Sequence, residues 1–484
     1  MRKEVVVVAA TVTTASAVVG AVVLLRHWKR QSERRWRHAQ RILRKFAREC
    51  ATPVSKLWLV ANDLVTHMQT NLGVFPSYSA SLPTGEEIGL FYGINLRGDN
   101  FLILKAQLGG KTEPISEFHR EEVQIPSHVI TADSKELFDL IGLELSKFVS
   151  LHEDGTGRVN LEKVKLGFTV SPPVDQTAAS SACKGIDWKR LTDDTVRTQL
   201  MTEINQSLEK HGVEMRVSAL VDDVIGDLAG GRYYSRESVA ALSLGMATNA
   251  AYTDSVQQVQ ELQGQLSNSG EMVINMQWGN FSSSHLPITE FDATLESEST
   301  NPGSRIFEKL ISGTYLGEIV RQVLLKIAQE TALFGDSLPT KLTIPYSLRS
   351  PDMAAMHQDT SEEYEVVDEK LKEIFEITNT TPMVREIVAE ICDVVAERGA
   401  RLVGAGIVGI VKKLGRIANK KSVITVEGGL YEHYRIFRNY LHSSVWEMLG
   451  SDLSDNVIIE PSHGGSGAGA LFIAAASQTQ DADS

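Results

Sequence analysis

Cysteine is scarce in this chain. Three occur in 484 residues, Cys50, Cys183 and Cys392, far apart and without a C-x-x-C pair. That excludes a disulfide scaffold, gives no sign of a zinc knuckle or thiol redox site, and fits reduced thiols in a reducing compartment. None of the 12 histidines stands in H-E-x-x-H or another metal-ligand spacing. No segment repeats at a fixed period. With 42% hydrophobic and 23% charged residues, disorder and collagen drop out as well. The length leaves room for two or three domains, each with its own core. Positive charge is in deficit overall, with a net charge of -13, but unevenly. Residues 1–50 carry 12 Lys/Arg against 3 Asp/Glu, a balance of +9; the rest carries 36 against 58, a balance of -22. An acidic body argues against nucleic acid as a partner, because clustered cations are what release phosphate counterions.

What is there begins with a membrane signal. Val5 to Leu25 is 21 residues without a charge. At about 1.5 Å per residue that spans a bilayer core of roughly 30 Å. Arg26, Lys29, Arg30, Arg34, Arg35, Arg37 and Arg41 follow at once. Such a cluster stays on the cytosolic side, so residues 1–30 read as an anchor with the body in the cytosol. Trp28 and Trp36 suit the headgroup zone, while a plain solvated helix is the bland alternative for this stretch. A cleaved signal or transit peptide is the rival reading, since Ala15-Ser16-Ala17 mimics a cleavage site. Cutting there would leave apolar Val18 to Leu25 on the new terminus.

The body alternates strand and helix patterns, which indicates an α/β protein. Helical periodicity runs from Arg35 to Leu72. Gly89–Leu96 and Asn100–Leu108, joined at Arg97-Gly98-Asp99, read as a hairpin. Further strands are expected at Lys165–Val170, Met215–Leu220, Val239–Leu244, Glu271–Trp278 and Ser422–Val426. Helices are expected at Ser134–Leu151, Thr195–His211, Ile306–Leu333, Val366–Phe375 and Pro382–Leu414. Gln257–Gln265 reads as a solvated linker. Gly404 to Gly409 matches G-x-G-x-x-G with Glu427 18 residues on, but helical spacing rather than a strand precedes it. A helix with small residues on a packed face is the better reading. Gly464-Gly-Ser-Gly-Ala468 brushes a nucleophile elbow without its last glycine or a clear preceding strand.

Val217 to Gly231 is more informative. An apolar strand delivers Asp222 and Asp223 to its C-terminal end, where α/β sheets bind ligands. A carboxylate there can accept a hydroxyl proton or hold Mg²⁺. A helix N-cap with a solvated neighbour explains the same pair equally well.

The stretches LVDDVIGDLAGGRYY, GEMVINMQWGNFSSSHLPITEFD, ESESTNPGSRIFEKLISGTYLGEIVR, SPDMAAMHQDTS and EGGLYEHYRIFRNYL resemble the eukaryotic hexokinases, most of all the membrane-anchored plant group, over about Thr52 to Ala476. The resemblance implies a two-domain actin-like ATPase fold of the RNase H type, with an N-terminal transmembrane helix. It implies a lead-in at 31–85, a small domain at 86–221 to which 464–477 returns, a large domain at 222–463 and a polar tail at 478–484. It further implies hexose (glucose or fructose) as substrate, Mg-ATP as cofactor, and the mitochondrial outer membrane as address.

The resemblance also assigns site residues. The catalytic base falls on Asp223. Sugar contacts fall on Ser171, Asn249 and Glu308, on Asp222 where the family has asparagine, and on Gln277 where it has glutamate. The family's W-T-K-G-F segment is replaced by Trp188-Lys189-Arg190-Leu191. The first phosphate loop, L-D-L-G-G-T-N-F-R in the family, is Ile94 to Leu102 here. Asn95 replaces the Mg²⁺-associated aspartate, Arg97 a glycine next to Gly98, Asp99 the threonine and Leu102 the arginine. The second loop, G-T-G-T-N, is Gly245-Met246-Ala247-Thr248-Asn249. Glu427-Gly428-Gly429 and the segment 464–469, with Gly465 and Ser466, keep the adenosine-side pattern. Losses concentrated on phosphate handling imply weak or absent transfer with sugar binding kept; a working kinase that tolerates them is the alternative, and a scaffold binding neither ligand a third.

Overall fold

The computed structural model describes residues 33–71, 77–78, 82–111, 113–130, 132–152, 164–171, 193–255, 270–378, 380–465 and 467–482. The expected anchor at 5–25, its flank to Arg30, Cys183, residues 188–191, the linker 257–265 and Ser466 lie outside them. Among the described residues no helix is long and apolar enough to cross a membrane.

Two compact units form. One comprises the described part of Met1–Ala51 with Pro287–Leu295 and Gly317–Val395. Its elements are helical. Ile319, Val320, Val323, Leu324 and Ile327 are fully buried at helical spacing, and the Phe46 and Phe291 rings meet edge-to-face at 5.2 Å. A buried Arg321–Glu318 pair ties down the segment that follows: Arg321 Nη1 donates to Leu342 O at 2.6 Å, and Tyr346 N donates to Glu318 Oε2 at 2.6 Å.

The other unit, Thr52–Leu286, Glu296–Leu316 and Ala396–Ser484, contains both sheets. Strands in chain order are β1 Ser77–Tyr78, β2 Ile88–Leu96, β3 Asn100–Gly109, β4 Glu113–Gln124, β5 Lys165–Val170, β6 Arg216–Asp222, β7 Ser238–Leu244, β8 Thr248–Ser255, β9 Glu271–Asn275, β10 Ser422–Glu427 and β11 Val457–Pro461. One sheet runs β4-β3-β2-β5-β6, the other β1-β9-β8-β7-β10-β11. Each joins an antiparallel meander (β2-β3-β4, β7-β8-β9) to parallel strands. Helices Asp223–Tyr234 and Gly469–Ala482 share an apolar core with residues of both sheets, among them Leu102, Leu104, Ala241 and Val273. The C-terminal helix lies so close to β2 and β5 that only glycine fits beneath it. A Cβ on Gly93 would meet Ala470 Cβ at 2.8 Å, and one on Gly167 would meet Ala470 O at 1.9 Å. The boundary expected at 221/222 falls where β6 gives way to helix Asp223–Tyr234.

Most expected elements form within a residue or two of their predicted ends. The differences have causes. The periodicity from Arg35 to Leu72 splits into helices 33–50 and Val54–Thr70, because Pro53 takes extended backbone (φ -60, ψ 154) and starts the second. The single helix expected over 306–333 breaks at buried Ser312 into Ile306–Ile311 and Gly313–Thr331. The break frees Gly313 N and Thr314 N to donate to Gly245 O and Met246 O. The strand expected to Trp278 stops at Asn275, since Gln277 is left-handed (φ 45, ψ 43). The segment from Gly404 to Gly409 lies inside helix Pro382–Lys413, against Ser444, Trp278 and Ala61.

Candidate functional site

The hairpin β2–β3 closes over Arg97-Gly98-Asp99, with Arg97 N donating to Asn100 O at 2.9 Å. Its turn is tied to the rest of the sheet through side chains. Buried Asn95 donates from Nδ2 to Thr169 Oγ1 at 2.9 Å, and Arg97 Nε donates to Asn95 Oδ1 at 2.8 Å. Asp99 is exposed; its carbonyl accepts from Ile125 N at 2.8 Å, which joins the turn to the end of β4.

At the ends of the parallel strands β5 and β6 stand Ser171 and Asp222. Ser171 Oγ donates to Asp223 Oδ2 at 2.6 Å. Asp222 caps helix Asp223–Tyr234 by accepting from Val224 N at 3.2 Å. The pair is thus both things the sequence allowed: Asp222 is an N-cap, and Asp223 is aimed at a polar partner across the strand ends. Burial pushes the Asp223 carboxyl well above the usual carboxylate range, and the negative charges of Asp222 and Glu427 add to it. Asp222 is also raised by burial, opposed by its hydrogen bonds. A base poised nearer neutral pH accepts a hydroxyl proton more readily than an ordinary carboxylate.

A chain of amides extends from Asp222. Asn249 Nδ2 donates to Asp222 Oδ1 at 3.4 Å and to Asn275 Oδ1 at 2.9 Å; Gln277 N donates to the same Asn275 oxygen at 3.3 Å. Beside it, Thr248 Oγ1 accepts from Trp278 Nε1 at 2.9 Å, and Thr248 N donates to Glu308 Oε1 at 3.4 Å. Glu308 is wholly buried, which raises its pKa, and its ion pair with Arg305 opposes the rise. The structure therefore joins Ser171, Asp222, Asp223, Asn249, Gln277 and Glu308 through direct or one-residue links.

The loops meet this cluster from two sides. Gly245 N donates to Ala247 O at 3.0 Å in the β7–β8 turn, where Met246 is half exposed. Gly428, at φ 111, crosses that turn so closely that a Cβ would lie 2.5 Å from Leu244 O. Gly429 beside it opens the next helical turn. Gly464, Gly465 and Gly467 are all left-handed, and a Cβ on Gly467 would meet Leu102 Cδ1 at 2.8 Å and Asn95 Cβ at 3.0 Å.

Sequence reasoning missed three contributors. Asn275 and Thr169 sit in quoted or expected strands and gave no signal of their own. Asp227 gave one: an acidic residue four after Asp223 on an otherwise apolar helix face. It is 2% exposed, accepts from Ser462 Oγ at 3.1 Å, and is pushed well above the usual range by burial and then by Glu427.

Mg-ATP fits this set on one side. The glycines at 429 and 465 leave backbone open to close approach, as a nucleotide cradle needs, while Gly428 and Gly467 let the loops pack tightly behind them. The metal side does not fit. Asn95 is a neutral amide whose oxygen already accepts from Arg97, so the position that would face the cation lacks its carboxylate.

Comparison with known proteins agrees with this arrangement. Two family models, both described as hexokinase, match residues 42–233 and 239–476. Hexokinase-1 of Spinacia oleracea is 45% identical over 474 residues, covering 95% of each chain. Hexokinase-2 of Oryza sativa subsp. japonica is 45% identical over 480 residues, covering 96% of this chain and 97% of its own. The hexokinase from Schistosoma mansoni, solved with glucose, superposes with a TM-score of 0.74 at 25% identity, covering 90% of this chain and 99% of that one. The chain belongs to the hexokinase family.

Proposed function

We propose that this protein is a membrane-anchored, cytosol-facing hexokinase-family member that binds glucose or fructose, transfers phosphate weakly or not at all, and serves sugar sensing. Its proposed address is the mitochondrial outer membrane. Hexokinases move the terminal phosphoryl group of Mg-ATP to a hexose hydroxyl. Here Asp223, held by Ser171 and raised by its neighbours, takes the hydroxyl proton. Asn249, Glu308 and Gln277, with Asp222 behind them, surround the sugar. The observation that carries the weak-transfer reading is the Arg97–Asn95 hydrogen bond, which engages the position that would serve the metal. With Asp99, Met246 and Ala247 also replacing phosphate contacts, about four charged hydrogen bonds are lost, each worth roughly 1.5–3 kcal/mol. If additive, they cost some four or more decades in rate.

The intact Ser171–Asp223 pair and the 45%-identical hexokinases favour a second reading, a working glycolytic hexokinase with altered loops. A coupled glucose-6-phosphate assay, with glucose calorimetry on the same protein, decides between them. The expected result is glucose heat with turnover far below that of a variant carrying R97G, D99T, M246T and A247G together. Near-normal turnover of the unaltered chain sinks the weak-transfer reading; no glucose heat sinks the sensing one.

A further inference from the structure

The resemblance places a phosphate-contacting arginine at position 102, and this chain has leucine there. Leu102 is fully buried and packs under Gly467, so it cannot serve an anion. The register of the sheet shows where a replacement cation stands. Asn95 pairs with Leu102, Leu102 with Glu122, and Leu104 with Arg120. Directly paired residues share a face, and so do residues two apart on a strand. Arg120 on β4 therefore occupies the same face as Asn95 and Leu102, one strand over and diagonal to the vacated position. That face lies beneath the C-terminal glycine loop. A Cβ on Gly465 would lie 3.8 Å from Arg120 Nη1, and Gly465 is left-handed at φ 77. Arg120 is exposed, and among the described residues its side chain has no hydrogen-bond or ion-pair partner.

We propose that Arg120 is the nucleotide-phosphate contact of this protein, supplying from β4 the guanidinium that β3 lacks at 102. The inference rests on the reading that the glycine loops hold a nucleotide. A guanidinium reaches a phosphate with a planar fork of donors that no other side chain provides. Its exposed, unpaired state suits a group that orders on its ligand. The two positions differ in what they can do. An arginine at 102 would rise from beneath the loop, next to Asn95. Arg120 reaches the loop at Gly465, away from the hairpin turn. It can hold the polyphosphate without stabilising the phosphoryl group in flight, which suits nucleotide binding without efficient transfer.

Calorimetry on the full chain with Mg-ADP, adenosine and glucose as separate probes tests this. R120A is expected to weaken Mg-ADP about ten- to hundredfold, while adenosine and glucose bind as before. R120K should recover part of the loss, since it restores the charge without the fork. Mg-ADP affinity of R120A within twofold of the unaltered chain overturns the assignment and leaves nucleotide binding standing. No Mg-ADP heat from the unaltered chain, with glucose heat present, overturns both. Equal losses for all three probes in R120A would make the residue structural, and the assignment falls.

Discussion

Asp227 lies one turn after Asp223 on the same buried helix. It is buried, it faces Glu427 at the end of β10, and Ser462 Oγ donates to its Oδ1. Its other oxygen, Oδ2, finds no donor among the described residues. Two buried carboxyls side by side cannot both ionise cheaply, so the folded protein keeps a proton that the unfolded chain gives up. Stability then falls as pH rises past the ordinary carboxylate range and goes on falling until the raised folded pKa is passed. Below that range both states are protonated and the penalty vanishes. Asp227→Asn keeps the shape, removes the charge and adds a donor toward Glu427. It should stabilise the protein by about 1–3 kcal/mol near neutral pH and above. Melting curves of both proteins across pH should converge toward about pH 4 and separate as pH rises. Parallel curves at every pH would mean that no extra proton is held. Composition could not have revealed this, because the cost arises only when β10 brings Glu427 to a helix some 200 residues earlier.

Helix Pro382–Lys413 shows the same separation at the next scale. Its helical spacing outweighed the dinucleotide-like glycine pattern, and the structure puts those glycines against neighbours. A Cβ on Gly406 would meet Trp278 Cζ3 at 2.7 Å, and Trp278 in turn donates to Thr248 Oγ1. Gly406→Ala gains up to about 1 kcal/mol of helix propensity. Forcing a methyl into a packed ring costs about 1–3 kcal/mol. The expected net effect is lower stability in urea together with weaker glucose binding, since the shift passes through Trp278 to the Thr248–Glu308 link. A more stable variant with unchanged glucose affinity would show that Trp278 yields freely. Elements of strong period, such as Ser134–Leu151 and Lys165–Val170, were legible to the residue because local pattern and packing agree there. Long-range demands were not. Ser312 breaks a helix to free donors for the 245–246 turn, and Gln277 ends a strand early by turning left-handed beside Asn275. The site residues were found through quoted motifs, whereas Asn275 and Thr169 emerge only from side-chain hydrogen bonds across strands, and Arg120 from strand register.

For the whole chain, the charge split carries the remaining prediction. A +9 terminus ahead of a -22 body can meet a membrane in two ways. If the basic stretch alone holds it, attraction to anionic lipid is screened within about 3 Å at about 1 M salt and the protein is released. If Val5–Leu25 spans the hydrocarbon core, the uncharged run keeps it there whatever the ionic strength, and the arginines fix only its direction. Membranes from cells expressing the full chain should therefore retain it through high salt and through alkaline carbonate. Deleting residues 1–30 should move it to the soluble fraction, and a fluorescent fusion should move with it from its membrane, proposed to be the mitochondrial surface, to the cytosol. Release by salt alone would leave a surface-bound protein, and a shortened mature chain beginning near Val18 would mark the run as cleaved. Retention would also restrict where the sugar site works. Under the proposed sensing role, glucose near the membrane would then be the signal it reads, at a surface where a transferase as weak as proposed would consume little of it.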